Sequence, residues 1–162
     1  MINTFKCILF ETDDLSTDDN KLVHPLATWN HTRWIVLSSS GFSIPALYAL
    51  HCKWYGQSLL LFSTCAASMN YWRRATYSWR RNVDVLIAKI NLVYFAINGV
   101  YYVRSIYLVS IGSLTMITAI YFYFASCRAR KYHERSNWHK YHVAWHAFLI
   151  FSLFIEMYGL SR

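Results

Sequence analysis

"SIYLVSIGSLTMITAIYFYFAS", residues 105–126, holds no charged side chain over 22 residues. As a helix rising 1.5 Å per residue it would reach about 33 Å, enough to cross a hydrocarbon core of about 30 Å. Its apolar residues run on continuously rather than alternating, which favours a helix over a membrane strand.

The same reading extends along the chain. No charged side chain lies between Arg33 and Lys53, or between Lys53 and Arg73. From Val85 to Val103 the only charge is Lys89, near one end, where its long stem reaches the headgroups; from Tyr141 to Leu160 it is Glu156, near the other. The composition agrees: 56% hydrophobic and 19% aromatic, against 15% charged, is too apolar for an ordinary soluble domain. The expected fold is therefore all-α, a polytopic transmembrane helix bundle of about five spans: 34–51, 55–72, 83–103, 105–126 and 141–160. Residues 1–33 form a tail and pre-membrane segment, and 34–162 the transmembrane domain. Gly41 and Pro45 should kink the first span.

Five spans bring the N-terminus and the loops "RRATYSWRR" and "CRARKYHERSNWHK" to one side, and these loops carry nine of the sixteen basic residues. Lys53, Arg104 and Arg162 face the other side. The positive-inside rule then predicts a cytoplasmic N-terminus and a C-terminus across the membrane. The net charge of +8 is read as topology signal and affinity for anionic headgroups, not as a nucleic-acid footprint. The tail runs opposite in sign: "ETDDLSTDD" holds five of the eight acidic residues, without the glycine and closing glutamate of a calcium loop. Its start, "MINTFKCILFE", lacks the apolar core and cleavage site of a signal peptide. Cys7, Cys52, Cys65 and Cys127 show neither metal nor disulfide spacing, although Cys127, beside a basic loop, suits acylation. Asn30 begins a glycosylation sequon on the side where it would go unused.

"YHVAWHAF", 141–148, sets His142 and His146 four residues apart, on one face of the last span. Two imidazoles suit one ion, but a zinc site needs three or four ligands. The topology brings Ser68, Asn70 and Tyr71, closing the second span, and Asp84, opening the third, to the same leaflet. Each has a plainer reading. Asp84 also suits a helix N-terminus near Arg81, the histidines suit interfacial hydrogen bonding, and Ser68 in "CAAS" suits helix packing. Tyr71, Trp72, Trp79, Trp138, Tyr141 and Trp145 read as an aromatic belt. His139 extends the histidine face but lies about 10 Å along the axis from His146.

"YHVAWHAF", "STCAASMNYW" and "RRNVDVLIAK" resemble segments of the CREST superfamily of membrane hydrolases, which includes alkaline ceramidases and relatives of the progestin and adipoQ receptors. The resemblance implies a seven-helix bundle with zinc. It also implies a Ser with a His about a turn later, an Asp at the next helix start, and His-x-x-x-His on the last helix. Ser68, Asp84, His142 and His146 match these positions. The early histidine does not: Tyr71 or Trp72 stands there, and two spans fewer are expected. His142, His146 and Asp84 are the implied zinc ligands, with His139 or His133 as possible substitutes for the missing one. Ser68 and Asp84 are the implied catalytic residues, and the partners are the bilayer and a lipid amide or ester substrate. The alternative is a catalytically inert multi-pass protein acting through helix packing or partner binding.

Overall fold

A computed structural model describes residues 27–76, 78–131 and 137–161. The acidic tail with Cys7, and the loop histidine His133, lie outside the described residues. Those residues form helices joined by turns, with no strand among them: α1 Trp29–Ser40, α2 Ser43–His51, α3 Tyr55–Trp72, α4 Trp79–Tyr102, α5 Ile106–Lys131 and α6 Trp138–Leu160. Among the described residues three helical segments are long and apolar enough to cross a membrane: Trp79–Tyr102, Ile106–Ala129 and Trp138–Leu160. The protein is thus an all-helical bundle with at least the composition of a membrane protein in its C-terminal half.

The predicted first span is not one kinked helix. It is two helices that start at Trp29, ahead of residue 34, and break at Gly41 and Phe42. There the backbone tightens to three-residue bonds, Gly41 N to Ser38 O at 3.1 Å and Phe42 N to Ser39 O at 3.2 Å. A Cβ on Gly41 would come within 2.8 Å of Ile150 Cδ1, so glycine lets the break sit against α6. Pro45 lies in the first turn of α2, where its missing N–H costs nothing.

A Schellman motif closes α2. Trp54 N bonds Ala49 O at 2.8 Å and Lys53 N bonds Leu50 O at 3.0 Å. Lys53 takes the left-handed conformation, φ 61°, that this motif usually gives to glycine.

The side-chain pairs give the helix directions. Thr64 with Asn91 and Ser68 with Asp84 set α3 and α4 antiparallel. Phe122 stacks on Phe148 at 5.4 Å and Ser126 faces His142, so α5 and α6 are antiparallel too. His31 stacks on His139 at 4.5 Å while Tyr48 meets Phe154 at 5.4 Å, so α1 and α2 run parallel to α6. The start of α1, the end of α3, the start of α4, the end of α5 and the start of α6 therefore share one end of the bundle. Helix α6 is the hub, touching α1, α2, α4 and α5, whereas α4 and α5 barely touch each other.

Candidate functional site

Two apolar clusters fill the interior. One, near the shared end, holds Ile35, Tyr71, Trp72, Ala75, Ala129 and Trp138. The other holds Phe42, Ala46, Ala49, Leu61, Phe95, Leu153 and Met157. Polar residues lie between them along the chain: Ser38 and Ser39 between Ile35 and Phe42, Ser68 between Leu61 and Tyr71, His142 and His146 between Trp138 and Leu153. They make one layer, in which Ser39, Ser68, His142 and His146 are buried and Ser38 is half-buried. Tyr71, Trp72 and Trp138 are core residues, 3%, 4% and 5% exposed, and not the aromatic belt expected of them; Trp79 does point outward. Once the helices associate, these rings bury more surface inside the bundle than an interface would offer.

Hydroxyl groups carry the layer from helix to helix. Ser38 Oγ lies 2.8 Å from His146 Nδ1 and 2.9 Å from Ile35 O. Its neighbour Ser39 donates to Ile35 O at 2.7 Å and meets Ser68 Oγ at 3.0 Å. Ser68 in turn shares a hydrogen bond with the Asp84 carboxyl. One hydroxyl supplies one hydrogen, so the chain has a direction. With Ser39 donating to Ile35 O, Ser68 donates to Ser39, and the remaining bond needs a protonated Asp84 as donor. With Asp84 ionised, Ser68 turns to it, Ser39 turns to Ser68, and Ile35 O keeps Ser38.

The two histidines, both buried, sit with ring centroids 4.8 Å apart. His142 lies edge-on to Trp72 at 4.7 Å and to Trp145 at 4.8 Å, and its Nδ1 is 3.4 Å from Ser126 Oγ. His146 meets Phe42 at 5.4 Å. In each ring Nδ1 is turned toward a serine hydroxyl. That is how a tautomer and a ring orientation are held.

The residues present do not fit a catalytic zinc, which needs three protein ligands and an open position. The helix turn after Ser68, where the resemblance implies a third imidazole, brings Trp72 against His142. An indole offers only an N–H donor and no lone pair for a metal. His139, a proposed substitute, stacks instead on His31. Asp84 is engaged by Ser68. Among the described residues no three His, Cys, Asp or Glu side chains come together as a metal-holding group.

The structure thus brings Ser68 and Asp84 into contact and His142 beside His146, in one layer tied through Ser38 and Ser39. Those two serines and Ser126 were not singled out from sequence. The available signal was "SSS" at 38–40, a polar run inside a charge-free stretch. In comparisons with known proteins, the chain matches no family model, no curated protein and no solved structure.

Proposed function

We propose that this chain is a five-span membrane protein of CREST-like build that is catalytically inert and acts through helix packing or partner binding. Its N-terminus and basic loops are cytoplasmic and its C-terminus lies across the membrane. In this reading α1 and α2 together make the first span. Helix α3, 18 residues and about 27 Å long, makes the second. The layer of Ser39, Ser68, Asp84, His142 and His146 ties the helices together, because a buried hydroxyl, carboxyl or imidazole in a membrane interior needs a partner on a neighbouring helix. The observation that carries the reading is Trp72 against His142, an aromatic ring at the position where hydrolysis would require a ligand.

The second reading is a zinc-dependent hydrolase of a lipid amide or ester, with His142, His146 and Asp84 on the metal and Ser68 beside it. Two observations favour it: each imidazole has its Nδ1 at a hydroxyl, the usual outer support of a ligating histidine, and Ser68 and Asp84 are already paired. Metal analysis of protein purified without chelator separates the two. Less than a tenth of an equivalent of zinc, with no lipid-amide cleavage above background, is expected. Stoichiometric zinc that vanishes in His142→Ala and His146→Ala would overturn the inert reading.

A further inference from the structure

The polar layer leaves one buried acid unused. Glu156 lies ten residues beyond His146 on α6, about 15 Å further along the axis, and is 9% exposed. Its Oε1 is buried and has no hydrogen-bond partner among the described residues. A carboxyl in hydrocarbon without a partner is costly, and such groups face the bundle interior where they serve a ligand or a pathway.

Glu156 lines a cavity of about 200 Å³ between α4, α5 and α6, walled by Phe95, Gly99, Val109, Gly112 and Ile155. Two of the five glycines of the chain stand here, and neither is demanded by close packing. A Cβ on Gly99 would rest at ordinary contact, 3.5 Å, from Glu156 Cδ, and one on Gly112 at 3.7 Å from Ile155 Cγ2. Gly159 shows the opposite case, since a Cβ there would meet Val103 Cγ1 at 2.7 Å. At 99 and 112 the missing side chain leaves space, and at 99 that space lies against the carboxyl. Val100 and Ile117, also on the wall, are exposed on the outer surface. The cavity therefore opens sideways between the two helices that barely touch, toward where acyl chains would lie.

The required occupant follows from these surfaces. An unpaired acceptor at the buried end calls for a hydrogen-bond donor, and a cationic donor neutralises the carboxylate as well. Walls that are apolar apart from Ser113 and Ser152, and a lateral mouth, call for an alkyl chain that continues into the bilayer. A dry cavity of about 150 Å³ holds benzene, so this one has room for a small head and the first carbons of one chain, and none for a phospholipid headgroup. We propose that the cavity binds a single-chain membrane amine, its ammonium on Glu156 and its chain passing out between α4 and α5. This site is separate from the polar layer and does not depend on whether that layer is catalytic.

The test uses the full chain in nanodiscs of zwitterionic lipid, with dodecylamine labelled at the far end of its chain as the probe. Unlabelled dodecylamine, dodecanol and dodecanoate serve as competitors. Saturable binding above empty nanodiscs is expected, with the amine competing at least tenfold better than the alcohol and the acid not competing. Glu156→Gln should weaken amine binding at least tenfold and erase the preference over the alcohol. Gly112→Leu, which fills the cavity and leaves the carboxyl, should abolish binding of the probe, and Ser68→Ala should leave it unchanged. Folding of each variant is checked by its thermal midpoint. Should Glu156→Gln misfold, Gly112→Leu and the competitor series decide. No saturable binding, equal competition by amine and alcohol, or unchanged binding in a folded Glu156→Gln or Gly112→Leu protein would overturn the proposal.

Discussion

The Trp72 indole lies edge-on to the His142 imidazole, ring centroids 4.7 Å apart and planes at 64°. This pair closes off the face of the histidine cluster nearest α3. Replacing the indole by an imidazole therefore asks whether one side chain separates this bundle from a metal site. Trp72→His should acquire zinc to at least half an equivalent, while wild type and the size-conserving Trp72→Phe stay below a tenth. Metal content of the purified proteins reads the outcome. Zinc-free Trp72→His protein would show that helix spacing, too, is wrong for a metal.

The Ser39–Ser68 bond, 3.0 Å between α1 and α3, should be a measurable clamp. Interhelical hydrogen bonds in membrane proteins couple by about 0.6 kcal/mol on average and up to about 1.7. A double-mutant cycle of Ser39→Ala and Ser68→Ala, followed by unfolding in mixed micelles, should fall toward the upper figure, since the bond is buried and continues to Asp84. A coupling near zero would mean that each serine is satisfied by its own helix.

Lys53 sits in the left-handed region at φ 61°. A non-glycine residue pays about 1–2 kcal/mol there, most of which glycine avoids. Lys53→Gly should raise stability by about 0.5–1 kcal/mol, read as a higher thermal midpoint in detergent. Lys53→Val should lower it, because a β-branched side chain fits that conformation worst.

Gly159 and Gly99 should answer differently to the same methyl. At Gly159 the new carbon would press on Val103, whose branched side chain has little room to turn, and overpacking of this kind costs about 1–3 kcal/mol. Gly99→Ala meets only ordinary contacts. Thermal midpoints should drop clearly in Gly159→Ala, recover in Gly159→Ala with Val103→Ala, and stay level in Gly99→Ala.

Single cysteines at Lys53 and Thr76, in a protein whose other cysteines are replaced by serine, test the five-span topology. A membrane-impermeant maleimide should label Thr76→Cys from the cytoplasmic face and Lys53→Cys from the opposite one. Labelling of both from the same face would reduce the N-terminal helices to a structure that does not cross the bilayer.

Much of the helical scaffold was legible because charge is expensive in hydrocarbon, and its absence marks where a helix can lie. The expected 55–72 coincides with α3, and 141–160 falls within α6, Trp138–Leu160. The break at 41–42 was harder to locate. Glycine and proline both signal a bend, and only contact with Ile150 on a distant helix shows which one stands at it. The roles of Trp72 and Trp138 were also hidden, since an aromatic ring near a membrane boundary suits the headgroups and the core equally well. Ser38 and Ser39 escaped notice for a different reason. A serine in a helix can satisfy its hydroxyl on a carbonyl one turn back, so its sequence context makes no demand for a distant partner.

Ser38 and Ser39 leave α1 about 100° apart, as neighbouring residues on any α-helix must. One reaches α6 and the other α3, from a single turn. Twisting α1 cannot loosen its grip on one neighbour without shifting the other. Any event that swings the Asp84 end of this chain of hydroxyls thus bears, through a single turn of α1, on the ring of His146 in α6.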